Sequence, residues 1–342
     1  MGKQAAFGVG IPTGTEGLMY PVPFVTDVHD NLEIALRAEA LGYDGVWGND
    51  HIATQAYVRE DFGAPPNYYS PLLTLAAIAA RTTTLKVATA LLVLPLRHPA
   101  LIAKELATLD HLSRGRLRVG VGLGAYREEF DALFGASAKG MVRGKMLDES
   151  LAILHRLFTE DTVDYEGAYF QVQGLQTYPK PVQAPFPFYI GGNSEKGRER
   201  VARFGTGWLP SGFTPEELRE VVADLGEKLE AAGRSLDEID VAPQFSVALG
   251  KTHEEAVEKY MASQQYRHML SLAGSTMKGL DLADCVNRDL IGTPEEVREK
   301  VAAYLDAGAT SFPALLFTAN TLDEFYAEME WFAGDVASHF KG

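Results

Sequence analysis

The stretch from Thr84 to Phe130, TLKVATALLVLPLRHPALIAKELATLDHLSRGRLRVGVGLGAYREEF, constrains the fold more than any other part of the chain. Leu85 to Leu94 is apolar almost throughout and carries β-branched Val87, Thr89 and Val93. A run that is apolar on both faces suits a buried parallel strand. Pro95 ends it, because proline has no N–H to give to a ladder. Pro99 stands where a helix can begin, and Leu101, Ile102, Leu106, Leu109 and Leu112 recur at helical spacing. Ser113, Arg114 and Gly115 stop the helix. Arg116 to Gly122 then reads as a second apolar strand running into Gly124, Ala125 and Tyr126. Strand, crossover helix and strand make one βαβ unit, the connection that parallel neighbours require.

The remainder repeats the theme. Strands are expected at Ala6 to Ile11, Tyr43 to Trp47, Phe188 to Ile190, Gly207 to Leu209, Ile239 to Leu249 and Thr310 to Phe317. Between them the spacing predicts helices: one capped by Asp30 and stopped by Gly42, then Pro71 to Arg81, Arg143 to Phe158, Glu195 to Phe204 and Pro215 to Ala232. A polar-rich helical stretch follows from Thr252 to about Leu282, with a break at Gly274 to Gly279. Thr293-Pro294-Glu295-Glu296 opens another helix with a cap, a proline and two acids, and Thr321 to Phe340 forms the last. About eight strands alternating with helices fit a single (β/α)8 TIM barrel, residues 1–342 forming one domain with insertions at about 51–70, 159–186 and 250–292. A small hairpin is expected within 159–186. The runner-up is an open, doubly wound sheet.

The net charge of -15 argues against a nucleic-acid or anionic-membrane partner. A single cysteine, Cys285, leaves no disulfide framework or cysteine metal site. With no signal-like start and no apolar run long enough to span a bilayer, a cytoplasmic protein is expected.

Barrel sites lie where strands end. Asp50-His51 leaves the second strand, and such a histidine suits general acid–base work, with Asp50 to orient it. Gly120-Val121-Gly122-Leu123-Gly124-Ala125 fits the loose pattern G-x-G-x-x-A, yet two of its glycines lie inside the strand and no ribose-binding acid follows. Gly122 is read instead as room for a flat ligand at the backbone. Gly191-Gly192-Asn193-Ser194 precedes a helix start and suits a phosphate, with Arg143, Lys196 and Arg198 as possible charge partners. The eight histidines show no H-x-x-x-H pair, so no metal site is expected.

Four segments carry a resemblance: GYDGVWGNDH, the stretch from Leu85 to Phe130, PFYIGGNSEKGRERVARFGTGWLP and IGTPEEVREKVAAYLDAGA. In this order they resemble the bacterial-luciferase-like superfamily of flavin and deazaflavin (coenzyme F420) oxidoreductases. The resemblance implies a tricyclic ring held over a bulge with a cis non-prolyl peptide, which here would be Ala90–Leu91. It implies that His51 is catalytic, that Asp50 matches the acid of deazaflavin members, that Gly192 to Ser194 forms the phosphate turn, and that Arg143 lies near a phosphate-binding arginine. Leu123 stands where luciferases proper carry arginine, and Ala125 where deazaflavin sugar-phosphate dehydrogenases carry glutamate. The expectation is F420-dependent hydride exchange with a small organic substrate. The alternatives are an FMN monooxygenase fed by a separate flavin reductase and a non-catalytic flavin-binding protein. A homodimer, and a separate flavin or F420 reductase, are the expected partners.

Overall fold

The computed structural model describes residues 4–272 and 284–341. In chain order the elements are β1 (Ala6–Ile11), α1 (Val28–Ala40), β2 (Gly45–Gly48), α2 (Ala56–Asp61), α3 (Pro71–Arg81), β3 (Lys86–Val93), α4 (Pro99–Ser113), β4 (Leu117–Gly122), α5 (Arg127–Phe134) and α6 (Arg143–Thr159). There follow β5 (Val163–Glu166), β6 (Gln171–Leu175), β7 (Phe188–Gly191), α7 (Glu195–Phe204), β8 (Gly207–Leu209), α8 (Pro215–Ala231), β9 (Asp240–Val241), β10 (Ser246–Leu249), α9 (His253–Met261) and α10 (Gln264–Leu272). The chain ends with α11 (Cys285–Arg288), β11 (Leu290–Gly292), α12 (Pro294–Asp306), β12 (Ser311–Phe317) and α13 (Leu322–Asp335).

Ten strands form one curled sheet in the order β11-β10-β12-β1-β2-β3-β4-β7-β8-β9. Every pairing in it is parallel. Strand exits therefore gather at one edge of the sheet. Side chains alternate between its faces. Val46, Val87 and Val119 join the large core that the helices cover, while Trp47 and Ala88 belong to a second cluster with Tyr189, Leu209, Ala242 and Ala314 inside the curl. Each fully buried leucine or phenylalanine of the large core is worth about 1.5–3 kcal/mol.

Several local expectations change. Asp27, not Asp30, caps α1. The Asp27 carboxylate accepts from the His29 amide, and Asp30 takes the third helical position of a capping box, accepting from the Asp27 amide. With acids at both positions, the box is satisfied only by placing the earlier one at the cap. The strand expected from Ile239 to Leu249 is broken into β9 and β10, because Pro243 cannot donate to a ladder. Residues 51–70 contain the short α2, and 159–186 contain the antiparallel hairpin of β5 and β6. Helix α5 and strand β11 carry no pattern long enough to have been read. The expected break at residues 274–279 lies outside the described residues. No helix among the described residues is long and apolar enough to cross a membrane.

Candidate active site

Strands β2 and β3 pair with Gly48 opposite Thr89. The chain therefore leaves β2 beside the middle of β3, where the β3–β4 register slips between Thr89 and Leu92. The peptide Ala90–Leu91 in that bulge is cis, as the resemblance implied. Both residues are half-buried. A hollow of about 390 Å3, partly open to solvent, lies between Ala90, Trp47, Asn49, Gln244 and Ala314. Thr15 also lines it, and the buried Thr15 hydroxyl has no hydrogen-bond partner. An orphaned buried donor facing a hollow marks a place for a polar ligand edge.

The glycines around the bulge have a different role from the one expected. A Cβ on Gly122 would come within 2.7 Å of Leu91 Cδ1, and one on Gly191 within 2.4 Å of the same atom. A Cβ on Gly120 would meet the Thr89 carbonyl at 2.2 Å. These glycines make room for Leu91 and the β3 backbone, so Gly122 supports the bulge rather than offering bare backbone to a ligand.

His51 is held by residues the sequence did not single out. Its Nδ1 lies 3.3 Å from both carboxylate oxygens of Glu129, on α5. A carboxylate only accepts, so Nδ1 donates to Glu129, and whenever the ring is neutral it is Nε2 that holds the lone pair. Gln55 Nε2, 3.2 Å from Nδ1, then packs beside the ring without donating to it. Glu129 is buried and also accepts from the amides of Ile52 (2.9 Å) and Ala53 (3.4 Å). Burial by itself would raise its pKa. The hydrogen bond and charge of His51, with those amides, outweigh burial and hold the carboxyl below its ordinary value.

Asp50 does not orient His51. Its buried carboxylate accepts two bonds from Arg97 (2.6 and 2.8 Å) and one from the Val93 amide (2.9 Å). It fastens the exit of β2 to the end of β3 and leaves the histidine to Glu129. The physical reason is strand alternation: neighbouring residues at a strand end project to opposite sides.

The turn after β7 is only partly free for an anion. Gly192 takes φ +103°, and nothing lies within 4 Å of a Cβ built there. Ser194 caps α7 by accepting from the Gly197 amide (3.2 Å). The Asn193 side chain is committed to Ser211, donating to its carbonyl and accepting from its amide. Arg198 donates to the Asn193 carbonyl and pairs with Asp224. Arg143 donates to the Gly124 carbonyl (2.6 Å) and lies over the Phe130 ring, without a hydrogen bond to the turn among the described residues. Burial first, and then Arg127, lower its pKa. Available for a phosphate are the Glu195 and Lys196 amides at the start of α7 and the Ser194 hydroxyl proton, the Gly197 amide being bound to Ser194.

A further wall was not anticipated. The rings of Tyr68 and Tyr126 each lie 5.8 Å from the His51 ring. The Tyr57 hydroxyl is 3.0 Å from His268 Nδ1 and 3.3 Å from the Tyr126 hydroxyl. His268 comes from α10, more than 200 residues along the chain, and no spacing rule connects it to His51. Among the described residues no group of three or more His, Cys, Asp or Glu could hold a metal ion.

A family model described as luciferase-like monooxygenase matches residues 5–311. The chain belongs to that family. This family member is 30% identical over 309 residues to an F420-dependent glucose-6-phosphate dehydrogenase of Nakamurella multipartita, covering 85% of this chain and 87% of the relative. It is 28% identical over 292 residues to the enzyme of the same name from Amycolatopsis mediterranei, covering 82% and 86%. Among solved structures it resembles the coenzyme F420-dependent tetrahydromethanopterin reductase of Methanopyrus kandleri, with TM-score 0.73, 22% identity and coverage of 99% and 100%. It likewise resembles the monooxygenase RslO1 of Streptomyces bottropensis, with TM-score 0.77, 24% identity and coverage of 98% and 99%. The resemblance stated from four sequence segments holds, and this luciferase-like protein is an oxidoreductase by family.

Proposed function

We propose that the protein is a coenzyme F420-dependent oxidoreductase that exchanges hydride with a small organic substrate. The observation that carries the chemistry is His51, held by Glu129 as one tautomer beside the bulge of β3. The choice of deazaflavin rests on the named relatives, whose similarity covers more than four-fifths of the chain. The fold supports the same reading. Val241 pairs with β8 through β9 while its carbonyl accepts from the Thr310 amide (2.8 Å), and the next strand, β10, pairs with β12. Residues 240–249 thereby link both ends of the sheet, which we read as a closed (β/α)8 barrel and one domain.

The residues present fit such a cofactor. Ala90, Leu91 and Trp47 offer a mostly apolar bed, the Thr15 hydroxyl a donor at its edge, and Gly192 to Ser194 with the start of α7 an anion site. When bound, the deazaflavin supplies a two-electron hydride acceptor or donor. The protein's own part is proton handling. Nε2 of His51 takes the proton of a substrate hydroxyl on oxidation, and returns it on reduction. Glu129 stabilises the imidazolium formed and keeps the ring from turning over. Asp50 and Arg97 act at a remove, by fixing the loop that carries His51.

Calorimetric titration with coenzyme F420 and with FMN, in both redox states, tests the assignment. Binding of F420 with no binding of FMN is the expected result. Binding of reduced FMN alone would replace it with an FMN monooxygenase fed by a separate reductase. His51→Ala should leave F420 binding intact while slowing turnover by about 100-fold or more. Unchanged turnover would remove His51 from the chemistry.

A further inference from the structure

Parallel pairing puts the starts of β7 and β8 at the edge of the sheet opposite the strand exits. A hollow of about 330 Å3, partly open to solvent, lies there between the ends of α6 and α7 and the loop after α8. That volume is within the range of small-molecule sites. Its floor is aromatic. The Phe158 and Phe186 rings lie 4.6 Å apart, those of Phe186 and Phe188 4.9 Å apart, and those of Phe158 and Phe188 6.1 Å apart and nearly parallel. Phe186 and Phe188 are buried, whereas Phe158 and Phe204 are half-buried and keep part of their surface open.

Two helices end at this hollow, and the C-terminus of a helix carries partial negative charge. Both ends are already neutralised. Lys180 Nζ donates to the carbonyls of Leu157 (2.7 Å) and Glu160 (2.5 Å) at the end of α6. Arg234 Nη1 donates to the carbonyls of Val201, Ala202 and Gly205 at the end of α7, and its Nε donates to Glu238 (3.0 Å). Glu238 is the one carboxylate among the described residues that line the hollow, and it is thus paired. Arg203 is left over. It is exposed on the last turn of α7, with its guanidinium 4.8 Å from the centre of the Phe204 ring, and no carboxylate among the described residues pairs with it. His155 is exposed on the same rim. The hollow therefore carries surplus positive charge on a chain whose net charge is -15.

We propose that this hollow is a second binding site, remote from the strand exits, for a planar aromatic carboxylate. The ligand's ring lies against Phe158 and Phe204, and its carboxylate meets the Arg203 guanidinium, whose fork matches two oxygens. An amine in the same place would be repelled by Arg203. A neutral ring would leave the guanidinium without a counter-charge, and a carboxylate with no ring would cover none of the phenylalanine surface. The proposal is independent of the F420-dependent reading, because no residue of the hollow belongs to the bulge, to the surroundings of His51 or to the turn after β7.

Calorimetry on the whole chain tests it with four probes: naphthoate, naphthylmethanol, naphthylmethylamine and acetate, each with and without saturating F420. Naphthoate should bind saturably and equally well in both conditions. The other three should bind more weakly by about tenfold or more. Arg203→Ala should weaken naphthoate about tenfold, the loss of a charge-assisted hydrogen bond. Arg203→Glu should reverse the preference and favour naphthylmethylamine over naphthoate. Arg203 is exposed, so both variants should fold and bind F420 within about twofold of the parent. Absence of saturable naphthoate binding, equal binding of naphthylmethanol, or naphthoate binding untouched by both substitutions overturns the proposal. Displacement of naphthoate by F420 would put the ligand at the strand exits, and overturns it as well. Failure of F420 to bind defeats only the cofactor assignment, and the titrations of the unloaded chain then decide for or against this site.

Discussion

Gly120 and Gly122 lie two residues apart on β4 and face the same side of the sheet, yet an added methyl would meet different obstacles. At Gly120 the obstacle is the Thr89 carbonyl, 2.2 Å away and part of the backbone. At Gly122 it is Cδ1 of Leu91, the end of a side chain that can rotate. Gly120→Ala should therefore cost about 1–3 kcal/mol or more of stability in urea denaturation. Gly122→Ala should cost about 1 kcal/mol or less and instead weaken F420 in a titration, because it moves Leu91. Equal losses of stability would show that the bulge yields as a unit. Glu129 is the second residue to test. Its carboxyl titrates below the ordinary value in the folded protein, so the stability it contributes is complete above that value and is lost as pH falls through the lower one. Glu129→Gln should flatten this acid limb in pH-dependent melting, and lower kcat about 10- to 100-fold with little change in KM. A change in KM alone would assign Glu129 to substrate binding. Of this site the sequence pointed to His51 because it sits at a strand exit, whereas the mid-strand bulge at Ala90–Leu91 was legible only through the family resemblance. It misassigned the orienting acid, because Asp50 is adjacent in the chain while Glu129 is adjacent in space.

Asp289 shows what an unread element contributes. It ends α11 and precedes β11, and its carboxylate accepts from the Ser246 amide of β10 (2.7 Å) and from the Tyr260 hydroxyl of α9 (3.4 Å). Three elements are thus joined by one buried acid. Burial raises its pKa to about 7, against the opposing effects of the Ser246 amide and of Lys300. The folded state therefore holds this proton more tightly than the unfolded chain does. Stability from this group is complete below its unfolded pKa and is lost as pH rises towards about 7. Melting midpoints should fall between pH 5 and pH 8 in the parent and fall less in Asp289→Asn, and parallel curves would refute the assignment. Glu328, also raised by burial, acts in the same direction and remains in the variant as an internal reference. The elements legible in sequence were those with strong ends: Thr214 and Thr293 open helices with reciprocal capping boxes, and Pro95 and Pro99 bracket the passage from β3 to α4. Those that escaped reading, α5 and β11, are short, and their existence depends on contacts distant in the chain.

At the scale of the whole molecule, one face remains apolar. Leu73 on α3 is 75% exposed, and Leu101 and Leu112 on α4 are 70% and 52% exposed. The two helices pack side by side, and a surface hollow runs between them past Leu72, Leu73, Leu109 and Leu112. Leu73 and Leu112 line that one hollow, and large exposed apolar patches are uncommon in a monomer. Lys104 and Glu105 lie within the same surface, so a second copy placed across a two-fold axis would meet opposite charge as well as leucine. We propose that the expected homodimer forms through α3 and α4. Each copy carries a net charge of -15, so repulsion opposes association over a Debye length of about 10 Å at 0.1 M salt. Sedimentation should show a dimer whose dissociation constant falls as salt rises, the reverse of an interface held mainly by ion pairs. The double substitution Leu73→Glu, Leu101→Glu should give a folded monomer that still binds F420, because neither leucine approaches the bulge or the turn after β7. A dimer that survives this substitution would place the contact elsewhere, and a parent monomeric at every salt concentration would leave these leucines without a partner copy.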